Sequence, residues 1–169
     1  MKTNKTSKVL LLLLLIVTGS TFTSCNDTDD GSYVAPITLY EKIGGKWVLS
    51  SINQVDETSN KSMALTSLFD FGTFVINLNT DDANQPSTFT IDGKAPSILP
   101  VSGTWKMGNP FVNSDGISAK ILLCGSDKTY TLTVTNVPGS EKVLEFKLTR
   151  KANGKAFVSY VYNLIPVTE

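Results

Sequence analysis

Apolar and polar residues alternate along the second half of the chain with the two-residue period that is typical of β-strands. In residues 129–135, a tyrosine, a leucine and a valine alternate with four threonines. In residues 144–150, two leucines and a phenylalanine alternate with polar and charged residues. Because successive side chains of a strand point to opposite faces, each segment presents one apolar and one polar face. Both segments are therefore predicted to be half-buried strands.

Turn residues separate the predicted strands. Pro138 and Gly139 suit the centre of a type II turn, and Asn153-Gly154 is a strong signal for a two-residue hairpin turn. A single short helix is predicted over residues 38–43, and the glycine pair at 44–45 ends it. Less regular apolar segments in the first half of the chain complete a set of eight strands. The predicted strands are residues 46–55, 72–79, 88–92, 102–107, 119–124, 129–135, 144–150 and 157–164.

Eight short strands joined by tight turns, without β-α-β spacing, predict an all-β domain over residues 38–169. Such a set of strands forms a sandwich or a barrel. Sequential hairpins favour an eight-stranded antiparallel up-and-down β-barrel with a short N-terminal helix. Closing the sheet also removes its edges, and this protects a β-protein against aggregation.

The first residues of the chain have the composition of a secretory signal peptide. Lys2, Lys5 and Lys8 precede nine unbroken apolar residues, 9–17, and small and polar residues follow. Nine apolar residues are too few to cross a bilayer, because a helix needs about 20. Residues 1–24 are therefore predicted to be removed. Retention of this segment as an N-terminal anchor helix is the alternative.

The predicted peptide ends in Thr23-Ser24-Cys25, which resembles the lipobox of bacterial lipoproteins. In those proteins the Cys thiol receives a diacylglycerol and the new N-terminus is acylated, so the resemblance implies a membrane anchor at Cys25. Several acyl chains give stable anchoring, since each buried CH₂ contributes about 0.8 kcal/mol. Phe22 departs from the Leu, Val or Ile that is usual at its position. Cleavage by an ordinary signal peptidase, which leaves Cys25 as a free thiol, is the alternative.

An acidic segment follows Cys25. Residues 26–32 contain Asp27, Asp29 and Asp30, and this arrangement resembles the surface-export signal of lipoproteins in the Bacteroidota. The resemblance implies a lipid-anchored protein of the bacterial outer membrane that is exposed at the cell surface. The same composition also indicates a flexible tether, predicted over residues 25–37. The two interpretations are compatible.

The charge balance and the lack of histidine limit the partners, the catalytic mechanisms and the metal sites that can be expected. The chain has fifteen Lys and Arg, fifteen Asp and Glu, and no His. Loss of residues 1–24 removes three lysines and leaves a net charge of −3, whereas nucleic-acid binders carry a basic excess. Histidine-dependent catalysis is excluded and zinc or copper sites are disfavoured, so no cofactor or metal is expected. Cys124, without a histidine to activate it, is interpreted as a small buried hydrophobic residue.

The triplet Gly-Lys-Trp at 45–47 resembles the Gly-x-Trp motif of lipocalins, and Gly-Thr-Trp at 103–105 repeats it. In lipocalins the Trp closes one end of an eight-stranded barrel, and an Arg from late in the chain packs across it. The resemblance implies a barrel-closing pair of Trp47 with Arg150, the single Arg of the chain. Such a contact contributes about 0.5–2 kcal/mol. Residues 38–167 look like the lipocalin-like domains of Bacteroidota lipoproteins.

The preferred hypothesis is a membrane-tethered protein that binds a small apolar or amphipathic ligand inside the barrel. An eight-stranded barrel has room for its own side chains or for one small ligand. By alternation, the side chains that are predicted to line such a cavity are Phe74, Ile76, Trp105, Tyr130, Leu132, Phe146 and Tyr160. A core filled by these same side chains is the alternative.

The second hypothesis is a filled barrel that contacts a protein or a glycan of the cell envelope. Tyr160 and Tyr162 share one face of the last strand, and two exposed rings would suit stacking, whereas a cross-strand pair within the sheet is the alternative. Catalysis is the third hypothesis and is not expected. The carboxylate pairs at 56–57 and 81–82 lie in predicted loops, so they are interpreted as solvated surface rather than as the two carboxylates of a glycosidase.

Overall fold

The strands of the protein form one antiparallel sheet that closes on itself. The structure is a computed structural model, and it describes residues 38–94, 96, 98–109 and 118–167. A five-residue helix, α1 (Leu39–Ile43), precedes the sheet. The strands are β1 (Gly45–Asp56), β2 (Ser62–Ala64), β3 (Val75–Thr80), β4 (Pro86–Asp92), β5 (Ser102–Met107), β6 (Lys120–Cys124), β7 (Thr129–Asn136), β8 (Leu144–Ala152) and β9 (Lys155–Pro166).

The sheet closes because its first and last strands pair. The strands lie in the order β2-β1-β3-β4-β5-β6-β7-β8-β9, and β1 also pairs with β9, from Trp47 opposite Pro166 to Asp56 opposite Val158. The short strand β2 pairs with β1 outside this ring, so the ring itself contains eight strands. The predicted all-β fold, an eight-stranded antiparallel up-and-down barrel with a short N-terminal helix, is confirmed.

The helix α1 covers one end of the barrel. Leu39 and Ile43, four residues apart and therefore on one helix face, are 2% and 0% exposed. The indole Nε1 of Trp47 donates a 2.8 Å hydrogen bond to the carbonyl oxygen of Ile43. At the start of the helix, Glu41 accepts hydrogen bonds from the backbone N–H and the hydroxyl of Thr38. We call the opposite end, which carries the β4–β5, β6–β7 and β8–β9 connections, the distal end.

Inward-facing side chains fill the middle of the barrel. The ring of Tyr162 stacks on Phe146 with centroids 4.9 Å apart, and it meets Phe74 at 5.5 Å. All three side chains are fully buried. Burial of a large apolar side chain contributes about 1.5–3 kcal/mol to folding, so this aromatic group is a main source of stability.

One strand boundary differs from the predicted one for a local reason. The segment predicted as strand 72–79 begins only at Val75, because Phe71–Thr73 form a 3-10 turn after Asp70, whose φ of 58° is left-handed. The alternation of apolar and polar residues in the sequence gives no sign of one residue with a left-handed backbone conformation. The hairpin turn predicted at residues 153–154 is confirmed, with positive φ at both of its residues.

Candidate functional site

The structure places Trp47 and Arg150 at opposite ends of the barrel. Trp47 contacts α1, whereas Arg150 lies opposite Val158, which is itself opposite Asp56 at the other end of β1. The nine steps from one residue to the next between Trp47 and Asp56 span about 30 Å, at roughly 3.3 Å per step. The predicted barrel-closing pair is therefore wrong. Instead, α1 closes the Trp47 end, and the Arg150 guanidinium lies over the ring of Phe157, 5.4 Å from its centroid.

Five of the side chains predicted to line a ligand cavity belong to the packed core. Phe74, Ile76, Leu132 and Phe146 have no exposed surface, and Trp105 is 2% exposed. A side chain that lined a cavity large enough for water would keep surface in contact with that water. These five side chains therefore fill the barrel in this structure, and the prediction that they line an open cavity is wrong for them.

The tyrosines of the last strand are not the exposed pair that stacking on a glycan would need. Tyr160 is half-buried and packs against the core, and Tyr162 is fully buried. Burial raises the pKa of the Tyr162 hydroxyl, and the nearby Tyr160 raises it further. Within the described part of the chain, the Tyr162 hydroxyl has no hydrogen-bond partner. Tyr130, the other predicted lining residue that keeps exposed surface, lies on β7 toward the distal end.

β7 and β8 separate toward the distal end and leave a seam in the barrel wall. Their antiparallel register ends at Thr133 opposite Lys147, although both strands continue beyond this pair. Residues 129–132 of β7 and 148–152 of β8 have no register partner across the seam. Each strand keeps its other neighbour, β6 or β9. One edge of each strand therefore lacks the ladder that continuous pairing would supply.

A depression of about 570 Å³ occupies this seam, and we call it the seam site. It is lined by Ile98, Lys128, Tyr130, Leu148, Thr149, Arg150 and Lys151. Ile98, Tyr130 and Leu148 form an apolar floor, since all three pack against the core and only part of their surface is exposed. The three cationic side chains are exposed, so they form the rim.

The positive charge of the seam site is not neutralised by a carboxylate from the described residues. The ion pairs found among those residues involve Asp70 and Glu57 and lie elsewhere. Lys128 instead places its Nζ 5.1 Å from the ring centroid of Tyr130, and Arg150 packs on a phenylalanine ring. Such cation–π contacts orient the side chains without removing their charge.

Residues 21–165 match the family described as Domain of unknown function (DUF5004). The chain belongs to this family. No curated protein matches the sequence. The matched range of the DUF5004 chain contains almost all of the closed eight-stranded barrel, which fits a lipocalin-like fold.

A second depression, of about 400 Å³, lies at the distal end of the DUF5004 barrel. It is lined by Phe71, Ile91, Gly93, Lys94, Pro96, Leu99 and Val101. Ile98 lines the seam site and Leu99 lines the second depression, and both pack against the core. Two consecutive residues of the β4–β5 connection thus separate the two depressions. This connection provides apolar cover for the distal end.

Three of the four paired carboxylates of the DUF5004 domain, Asp56, Glu57 and Asp81, are held in structural contacts. Asp56 accepts hydrogen bonds from the hydroxyl and N–H groups of Thr58 and its neighbour, and they lower the pKa of Asp56 to about 2. The Lys147 ammonium, 2.7 Å from a carboxylate oxygen of Glu57, lowers the pKa of that carboxyl. Asp81 accepts hydrogen bonds from two backbone N–H groups of its own turn. These contacts support the interpretation of the carboxylates as turn and surface residues.

Among the described residues of the DUF5004 domain, no three His, Cys, Asp or Glu side chains are grouped so that they could hold a metal ion. Cys124 is half-buried and accepts a hydrogen bond from the Thr129 hydroxyl at 3.7 Å. The described segments contain no helix that is long and apolar enough to span a membrane. Cys25 and the predicted segments 1–24 and 25–37 lie outside the described residues.

Sequence reasoning missed five of the seven residues that line the seam site, namely Ile98, Lys128, Leu148, Thr149 and Lys151. Two of them have ordinary turn surroundings, since Lys128 follows a Gly-Ser-Asp turn and Lys151 lies just before the Asn-Gly turn. Leu148 was recognisable as an inward residue by alternation, but nothing local marks it as the floor of a depression. The point at which β7 and β8 separate brings these residues together, and that point is a tertiary property.

Proposed function

We propose that this protein is a lipid-anchored lipoprotein of the Bacteroidota type whose lipocalin-like barrel binds a small amphipathic ligand at the seam site. The observation that carries the proposal is the seam, where β7 and β8 separate above an apolar floor with three cations at its rim. The volume of about 570 Å³ lies within the roughly 300–1,000 Å³ of small-molecule sites.

The filled core restricts the ligand to the distal part of the barrel. Leu132 and Phe146 are the next inward residues of β7 and β8 toward α1, and both are fully buried. A ligand that enters at the seam therefore rests on Leu148 and Tyr130 and does not pass through the barrel. The separated strand edges offer backbone donors and acceptors to a polar group of the ligand. An apolar floor beside polar edges favours an amphipathic ligand over a purely apolar one.

The lipid anchor is supported by the sequence before the barrel. Cys25 follows a predicted signal peptide and precedes an acidic segment, and the family match begins at residue 21 and so includes Cys25. We propose that residues 1–24 are removed, that Cys25 is acylated and that residues 25–37 tether the barrel to the outer membrane at the cell surface. Several acyl chains make such anchoring stable.

Binding of a fluorescent amphiphile tests the seam site. A dansyl-labelled undecanoic acid is titrated into the wild-type protein and into Ile98→Asn, which places an amide in the apolar floor. We expect the substitution to weaken binding at least tenfold, because an unpaired amide is costly to bury. Ile165→Asn is the matched control, since Ile165 is 42% exposed and lies beside Val48 near α1. Equal affinity of wild type and Ile98→Asn would refute the seam site.

A filled barrel that contacts an envelope protein or a glycan is the second candidate, and exposed apolar side chains favour it. Leu68, Phe69 and Val101 are 57%, 58% and 73% exposed. Contiguous exposed apolar surface marks interaction sites in many proteins. Two results together would favour this interaction function over ligand binding at the seam site. The wild-type protein would bind no amphiphile, and Phe69→Ser and Val101→Ser would abolish crosslinking to an envelope component.

A further inference from the structure

The seam site concentrates positive charge on a protein that has no excess of it. Lys128, Arg150 and Lys151 are three of its seven lining residues, and no Asp or Glu lines it. The whole chain is neutral, and removal of residues 1–24 would make it acidic. Three like charges around one depression repel one another, and an anion bound among them relieves that repulsion.

These cations are available to a ligand. Within the described residues, none of the three takes part in an ion pair, and the neighbouring Asp127 is exposed outside the site. The Cζ atom of Arg150 lies 5.4 Å from the ring centroid of Phe157, and no hydrogen bond to another described residue occupies the guanidinium N–H groups. A guanidinium binds a carboxylate or a phosphate through two parallel N–H···O hydrogen bonds, a geometry that an ammonium group does not supply.

The charged rim lies within reach of the apolar floor. Leu148 and Arg150 are two residues apart on β8, and alternate residues of a strand share a face and lie about 7 Å apart. Leu148 is opposite Tyr160 on β9, so its other side is covered by the barrel wall. A ligand whose polar end is held at Arg150 therefore lays its next few atoms on Leu148 and Tyr130.

We infer that the ligand of the seam site is an anionic amphiphile. Arg150, assisted by Lys128 and Lys151, binds its carboxylate or phosphate, and Ile98, Tyr130 and Leu148 bind its apolar chain. This inference rests on the proposed function and specifies the ligand class for the same site. A fatty acid and a phosphorylated lipid share this chemistry, so the experiment compares both head groups.

Displacement of the dansyl probe by four competitors with one chain length tests the charge preference. Decanoate, decyl phosphate, decanol and decylamine are added to the mature full-length protein held in a non-ionic amphipol, with the empty non-ionic amphipol as the blank. At low salt we expect each anion to bind at least tenfold more tightly than decanol, and decylamine to bind more weakly than decanol. Added salt should reduce the preference, because the cations of the rim are exposed. The stronger of the two anions identifies the head group.

Substitutions at the rim test the assigned residue. Arg150→Gln should reduce the preference for anions at least threefold, because only the two lysines remain. Arg150→Lys should retain more of it, because the charge is kept although the two-pronged geometry is lost. Lys155→Gln removes an exposed cation from the start of β9, outside the seam site, and should leave the preference for anions unchanged. Circular dichroism confirms folding of each variant. If Arg150→Gln does not fold, the four competitors on the wild-type protein still test whether the seam site prefers an anionic head group.

The outcomes separate this inference from the proposed function. Equal binding of decanol and the anions overturns the anionic class and leaves a neutral amphiphile at the seam site. An unchanged preference for anions in Arg150→Gln overturns the assignment of the head group to Arg150. Failure of the probe and of all four competitors to bind the wild type overturns the proposed function itself.

Discussion

Replacement of Tyr162 by Phe removes one oxygen atom from the middle of the barrel, and we expect the protein to become more stable. Tyr162 is fully buried, and its hydroxyl has no partner among the described residues. An unpaired buried hydroxyl costs about 1–3 kcal/mol relative to its hydrated state. The void left by the oxygen costs about 0.3 kcal/mol at roughly 24 cal/mol per Å³. The free energy of unfolding should therefore rise by about 1 kcal/mol or more.

The aromatic packing is unaffected by this change, because Phe keeps the ring that stacks on Phe146 at 4.9 Å and meets Phe74 at 5.5 Å. Urea unfolding followed through the fluorescence of Trp47 and Trp105 measures the effect, and the urea dependence of the unfolding free energy should stay the same. For a domain of this size, about 1 kcal/mol corresponds to a rise of roughly 3–5 °C in Tm.

Tyr160→Phe is the matched control for this prediction. Tyr160 lies two residues away on the same face of β9, and its side chain keeps contact with solvent. Its hydroxyl can bind water, so the control should change the unfolding free energy by less than about 0.5 kcal/mol. If Tyr162→Phe lost 1 kcal/mol or more, the Tyr162 hydroxyl would have to form a hydrogen bond in the folded protein. The reasoning from an unpaired donor would then be refuted.

Two further substitutions test other parts of the molecule. In Gly103→Ala the new Cβ overlaps the carbonyl oxygen of Cys124 on the adjacent strand β6, so we expect urea unfolding to show a loss of about 2–3 kcal/mol. A Cβ at Gly72 meets nothing, so Gly72→Ala should stay within about 0.5 kcal/mol, and equal effects of the two changes would contradict the steric explanation. Cys25→Ala should abolish metabolic labelling with a palmitate analogue and release the protein from the membrane fraction, because the proposed acyl chains have no attachment point. A variant that remained labelled and membrane-bound would disprove an anchor at Cys25.

The barrel strands can be predicted from sequence because each pairs mainly with its neighbour along the chain. Alternation within a strand and turn residues between strands are both local signals, and together they determine a meander. The Asn-Gly turn at 153–154 illustrates this, since positive φ at both residues is what joins β8 to β9. The left-handed Asp70 precedes the 3-10 turn that delays the start of β3 to Val75, and an isolated residue of this kind leaves the apolar pattern unchanged.

The site depends on tertiary relations that alternation does not carry. The alternation of residues along β8 predicts that Phe146 faces inward, but it does not show whether the interior of the barrel is filled. The position of Arg150 along the barrel axis follows from the pairing of β1 with β9, whose residues are far apart in sequence. In β7 the alternation of threonines continues through residues 129–135, although pairing with β8 ends at Thr133. No local feature of the sequence marks the start of the seam.

The pairing of β1 with β9 also determines when folding can finish. Trp47 lies opposite Pro166, so the contact that closes the barrel joins residues separated by most of the domain. Contacts of such high sequence separation form slowly, because a long chain must be ordered before they are made. While β9 is still being synthesised, β1 and β8 each present an open edge that another chain can join. Completion of the last strand is therefore the step that covers these two open edges of β1 and β8.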